Sequence, residues 1–214
     1  MTFKLLKKDV FGRVSLRSAG DEPAVVRDLA GARWWARGLA RWLLSREARA
    51  LAVLDGIDGV PPLLRVERNG LCRGYIEGLP MHRARPSDVV YFRRASRLLR
   101  HMHRAGVVHN DLAKEPNWLA TPSLEPAVID FQLAWYSPRR GRLFRMLARE
   151  DLRHLLKHKR TYCAAHLTRR ERRILENPAL PSRLWMATGK RLYLLFTRVF
   201  LGWADREGAG DRHL

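Results

Sequence analysis

Val107-Val108-His109-Asn110-Asp111-Leu112-Ala113-Lys114-Glu115-Pro116-Asn117, followed downstream by Ala127-Val128-Ile129-Asp130-Phe131, decides how this chain is read. A short apolar run delivers His-x-Asp-Leu, and an Asn follows Asp111 by six positions. A second apolar run delivers a second acid, Asp130. Two carboxylates and one amide brought together at strand ends can orient a hydroxyl and hold a divalent cation on phosphate oxygens. The competing explanation is a pair of capping or turn acids in an unrelated fold.

The surroundings organise around this stretch. Pro86-Ser87-Asp88 opens a long helix whose apolar face is expected at Val90, Phe92, Leu98, Leu99 and Met102, stopping near Gly106. Upstream, 3–6, 13–16 and 24–27 read as strands, the first two joined by a turn at Asp9-Val10-Phe11-Gly12. Two helices are expected at 34–42 and 45–54, with Ser45 as N-cap of the second. Residues 63–66 and 71–76 read as a hairpin across Arg68-Asn69-Gly70, and Glu77-Gly78-Leu79-Pro80 as a hinge. Beyond Asp130 the chain reads as helical and basic, with a break at Asn177-Pro178. Strands first and helices later give an α+β class with two parts, 1–78 and 79–214.

Composition narrows the class. The chain has 214 residues, 46% hydrophobic with seven Trp, enough for a packed core rather than a disordered chain. Cys72 and Cys163 form neither a disulfide framework nor metal-ligand spacing, which suits a reducing cytosol. The first residues carry no apolar run of secretory length, and the apolar stretch 192–203 is too short to span a bilayer. A cytoplasmic protein, at most peripheral on a membrane, is therefore expected. The net charge is +20, from 41 basic and 21 acidic residues. It attracts anions in general, or simply reflects an arginine-rich solvated surface. The tail at 183–206 interleaves Arg and Lys with aromatic and aliphatic residues. Two readings stay open for it: a helix lying on anionic membrane, or one packed on its own domain. Nucleic-acid binding has no motif in its favour.

The loop at His109–Asn117 and the acid at Asp130 resemble the protein-kinase-like superfamily, whose catalytic loop reads His-Arg-Asp-x-x-x-x-Asn and whose metal motif reads Asp-Phe-Gly. The resemblance covers roughly residues 3 to 160. It implies a two-lobed fold: a small antiparallel sheet plus helix at 1–78, and a reduced, mostly helical second lobe at 79–214. It also implies ATP and Mg²⁺ as cofactors. Asp111 looks like the catalytic base, Asn117 and Asp130 like the metal ligands, and His109 like a brace for the loop. Lys114 stands where some kinases neutralise the transferred phosphoryl group, or it only faces solvent.

The first half adds weaker parallels. Gly12-x-Val14 is similar to the end of a phosphate-binding glycine loop, or is a plain hairpin turn. Arg27 stands where the family carries a phosphate-pairing Lys; it holds phosphates or pairs with a carboxylate, and its planar fork makes the exchange non-neutral. Glu47 resembles the helix Glu that pairs with that cation, or is a surface residue. Ile76 and Glu77 resemble the connector whose backbone holds adenine.

Departures point to the minimal branches. Five residues separate Asp111 from Asn117 where the family has four, Asn110 replaces an Arg, and Gln132 replaces the Gly of the metal motif. There is no Ala-Pro-Glu and no long activation segment. The nearest resemblance is to RIO-like atypical Ser/Thr kinases, lipopolysaccharide core kinases and aminoglycoside phosphotransferase-like enzymes. The acceptor implied is a hydroxyl on protein or, second, on a lipopolysaccharide core sugar at the inner membrane. A pseudokinase scaffold that only holds nucleotide is the reading from another class.

Overall fold

The computed structural model describes residues 2–18 and 23–177. The tail read as a basic helix lies outside the described residues. The chain begins with strands β1 (Thr2–Asp9), β2 (Gly12–Ser18) and β3 (Ala24–Asp28), then helix α1 (Arg37–Val53), then β4 (Leu63–Glu67) and β5 (Gly70–Gly74). These strands form one antiparallel sheet in the order β1-β2-β3-β5-β4. Gly12 closes the first hairpin with φ +133°, and a Cβ there would meet the Asp28 carbonyl oxygen at 2.2 Å. The approach of β3 therefore accounts for this glycine by itself.

One helix stands where two were expected. Residues 34–36 form a 3₁₀ turn that runs directly into α1, which continues through Ser45. No residue between Trp42 and Arg46 breaks a helix. The Ser45 hydroxyl donates back to the Trp42 carbonyl at 2.8 Å instead of capping a new start. The buried positions of α1 are Ala40, Leu43, Leu44, Glu47, Ala50 and Leu51. That is helical spacing with a carboxylate in the middle of the apolar stripe.

The second part opens with β6 (Leu79–Pro80) and the short helix α2 (Met81–Ala84), followed by α3 (Val89–Arg104). The Asp88 side chain caps α3 by accepting from Val90 N–H at 2.8 Å. Its buried face is Tyr91, Phe92, Ala95, Leu98, Leu99 and Met102. Val90, expected on that face, is 39% exposed, because Tyr91 and Ala95 complete the stripe one position away. Gly106 ends the helix at φ +85° with the Ser137 carbonyl packed where a side chain would stand.

Four short strands then frame the loops: β7 (Val107–Val108), β8 (Trp118–Ala120), β9 (Pro126–Val128) and β10 (Trp135–Tyr136). β7 pairs with β10, and β8 pairs with both β6 and β9. Helices α4 (Arg142–Tyr162) and α5 (Arg169–Glu176) follow, the latter closed by a Thr168–Glu171 capping box. The fold is thus α+β, a five-stranded antiparallel sheet plus helices. Its buried core is continuous from Leu44 and Leu51 of α1, through Tyr91 and Leu99 of α3, to Trp118 and Leu155. Among the described residues no helix is long and apolar enough to cross a membrane.

Candidate active site

The loop between β7 and β8 carries Asp111 out of the apolar core. Asn110 takes a left-handed φ of 64°, which Asn tolerates through local hydrogen bonding. Residues 115–117 form a 3₁₀ turn with Pro116 inside it. That turn brings Asn117 back to Asp111 across a step of six positions. The Asn117 side-chain N–H₂ reaches back to the Asp111 carbonyl at 2.9 Å and to its carboxylate at 3.0 Å. The same Asp111 oxygen accepts from Lys114 Nζ at 3.0 Å. Asn117 is buried, and its Oδ1 accepts no hydrogen bond among the described residues.

Asp130 follows β9 in a left-handed conformation, φ 66° and ψ 69°, a strained setting for a residue with a side chain. Its carboxylate is 36% exposed. The Ile129 N–H donates to the Asn117 carbonyl at 3.0 Å, so the two candidate metal ligands leave adjacent chain segments. His109 binds the same two segments. It is fully buried, its Nδ1 accepts from Asp111 N–H at 3.3 Å, and its Nε2 lies 3.1 Å from the Ile129 carbonyl. This pattern requires the neutral Nε2–H tautomer, with both nitrogens committed to backbone, and so a brace rather than an acid or base.

The first sheet reaches the same place. Arg27 of β3 lies 3.1 Å from Glu47 of α1 and 3.5 Å from Asp130, 103 positions away. The Gln132 amide, oriented with its oxygen inward, accepts from both terminal nitrogens of Arg27. Arg73 of β5 approaches Glu47 from the other side at 3.4 Å. Glu47 is completely buried, and neither ion pair meets it as a directed hydrogen bond. Burial pushes its carboxyl above the usual range, opposed by the charges of Arg27 and Arg73. Burial pulls the Arg73 guanidinium down, opposed by Glu47.

A second carboxylate holds the loop from beneath. Asp151 of α4 is buried and accepts from His109 N–H at 2.8 Å, from Asn110 N–H at 3.0 Å, and lies 3.2 Å from His103 Nε2. His158 of α4 reaches the Leu112 carbonyl at 2.8 Å, and Tyr162 donates to Glu115 at 2.7 Å. On the far side Arg46 donates to the carbonyls of Leu133 and Ala134 at 3.0 and 2.9 Å. Backbone strands and helix-borne side chains thus fix the loops at both ends.

Asp111, Lys114 and Asn117 come together in one cluster. Arg27, Glu47 and Asp130 come together in another, and His109 and Ile129 tie the two. Gly12 sits at a hairpin whose packing explains it. Ile76 and Glu77 lie in the irregular connector at 75–78, where Tyr75 N–H donates to the Pro23 carbonyl at 3.1 Å and the backbone groups of Ile76 and Glu77 themselves make no hydrogen bond among the described residues.

Arg73, Asp151 and Glu115 carry no signal in the sequence patterns above, and Gln132 stands there only as a departure from the metal motif. Glu47 falls on the buried stripe of an otherwise apolar face of α1, whereas the buried face of α4 mixes Asp151 with Arg153, His158 and Lys159 and carries no such signal. Among the described residues no three His, Cys, Asp or Glu cluster as metal ligands. The available donors are instead a carboxylate and an amide oxygen, hard ligands of the kind Mg²⁺ takes when phosphates and water complete its shell. No protein-family model matches the chain, and no curated protein matches it.

Proposed function

We propose that this chain is an ATP- and Mg²⁺-dependent phosphotransferase of protein-kinase-like, two-lobed architecture, with lobes at 1–78 and 79–214. It moves the γ-phosphoryl group to a hydroxyl, in the leading reading that of a protein Ser or Thr. The observation that carries this reading is the Arg27–Asp130 contact. It joins a cation from the first sheet to the acid that follows β9, beside the Asp111–Asn117 pair.

In this reading Asp111 orients the acceptor hydroxyl and takes its proton as the oxygen attacks phosphorus and ADP departs. A loose transition state asks for alignment more than basicity, so an ordinary carboxylate suffices. Lys114 offers a positive charge beside the transferred group. Asn117 Oδ1 and Asp130 would hold Mg²⁺, which supplies charge neutralisation on the phosphates. Arg27, anchored by Glu47, would turn its terminal nitrogens to phosphate, and the open backbone of Ile76 and Glu77 would meet the adenine edge.

A nucleotide-holding module without transfer is the second reading. It draws support from the contacts of Arg27 with Asp130 and Gln132, which engage the acid that a metal would need. The test is γ-phosphoryl transfer from radiolabelled ATP by the wild type, Asp111→Asn and Asp130→Ala, with protein and lipopolysaccharide core as acceptors. Transfer to protein that falls at least about a hundredfold in both variants supports the leading reading. Equal rates in all three proteins contradict it, and nucleotide binding without transfer selects the second.

A further inference from the structure

The start of α1 presents a largely exposed surface that meets the site only where the Arg46 guanidinium stacks on the Trp42 ring at 4.5 Å. Arg33-Trp34-Trp35-Ala36-Arg37-Gly38-Leu39-Ala40-Arg41-Trp42 buries only its alanines. Trp34 is 81% exposed, Trp35 44%, Leu39 49% and Trp42 50%. Trp35, Leu39 and Trp42 are spaced by four and three residues and so share one helix face. Arg33, Arg37 and Arg41 are exposed too, spaced by four along the other flank of the segment. Three exposed tryptophans within little more than two turns of helix are rare on a freely solvated surface, where such aromatics are normally covered.

A second feature lies on the arginine flank. A cavity of about 190 Å³ is lined by Leu29, Ala30, Arg37, Arg41 and Asn69. Arg41 is held in it by Asn69, whose side-chain oxygen accepts from Nε at 3.3 Å and Nη2 at 3.2 Å. Arg37 is held by the Ala32 carbonyl at 3.3 Å. Two anchored guanidiniums in a polar concavity suit a phosphate group.

We propose that residues 33–42 form a docking surface for an anionic phospholipid bilayer. The indoles and Leu39 enter the headgroup boundary, where tryptophan is favoured, and the Arg37–Arg41 cavity takes a lipid phosphate. Charge complementarity selects this occupant. The patch carries three arginines and no acid, on a chain of net charge +20, so a negative surface is attracted and a second copy of the same patch is repelled. The proposal does not depend on the phosphotransferase reading.

Co-sedimentation of the full chain with vesicles tests it. One set is pure phosphatidylcholine, the other equimolar phosphatidylcholine and phosphatidylglycerol. Wild type is expected to bind the anionic set, with a blue shift of tryptophan emission. Trp34→Ser, Trp35→Ser, Leu39→Ser and Trp42→Ser combined should weaken binding by at least about tenfold. Arg37→Gln and Arg41→Gln should weaken it about fivefold each. Circular dichroism and the thermal midpoint should be retained in the two arginine variants, whose side chains are exposed, and are checked in the quadruple variant, where Trp42 also carries the Arg46 stack. Absent wild-type binding, or equal binding by wild type and the quadruple variant, overturns the proposal. So does a wild-type dimer in sedimentation velocity that the quadruple variant abolishes, because the face would then be a protein interface.

Discussion

Glu47→Ala offers a sharp stability test of the first cluster. Glu47 has no exposed surface and stands between Arg27 and Arg73, whose side chains are 13% and 9% exposed. Removing one member of a buried ion pair strands the other charge and costs about 3–5 kcal/mol. Arg27 retains Asp130 and Gln132 as partners, so the loss falls mainly on Arg73, and the lower end, about 3 kcal/mol, is expected. For a domain of this size that lowers the thermal midpoint by roughly 6–12 °C. Glu67→Ala is the matched control. Glu67 also pairs with an arginine, Arg65 at 3.0 Å, but both side chains are more than half exposed. Its removal should change stability by no more than about 0.5 kcal/mol. Urea unfolding followed by fluorescence and circular dichroism measures both. If Glu47→Ala unfolds within about 0.5 kcal/mol of wild type, the buried triad is not what holds α1 to the sheet.

Two further outcomes are expected. Burial, helped by Lys157 and Arg153, holds the His154 imidazole down at about 4. The unfolded chain binds that proton at higher pH, so the associated stability is complete above about 6.5 and is lost as pH falls through about 4. His154→Gln should flatten this acid limb in urea titrations between pH 7 and 4.5, and an unchanged slope would refute the assignment. Asp151→Asn places an amide group opposite one of the two N–H donors of His109 and Asn110. It should cost about 1–3 kcal/mol and speed amide exchange at those two residues. Unaltered exchange would show that Asp151 does not hold the loop.

The legible parts of the fold were those written in local chemistry. Asp88 announces the start of α3, Gly106 its end, and Arg68-Asn69 the turn into β5, because caps and turns need particular residue types at fixed offsets. β10 was invisible, since two residues carry no period, and α2 is a single turn. Ser45 misled because a hydroxyl that caps a helix can equally bond back within one. At the site, the acids and the amide stand out as residue types at spacings, and Arg27 only through the family resemblance. Arg73 does not stand out. Its meeting with Glu47 depends on the β3–β5 register, which sets Val25 opposite Arg73 and sends both arginines to one carboxylate. Asp151 lies 42 positions from His109, and only the fold brings them together.

Under the proposed function Asp130 and Asn117 would serve a metal bound to nucleotide phosphates. Calorimetric titration of a non-hydrolysable ATP analogue, with Mg²⁺ and with EDTA, tests it most directly in wild type and Asp130→Ala. Wild type should bind more tightly with Mg²⁺, and Asp130→Ala should lose that increment while keeping its fold. Binding that ignores Mg²⁺ in the wild type, or an increment that survives in Asp130→Ala, would contradict it.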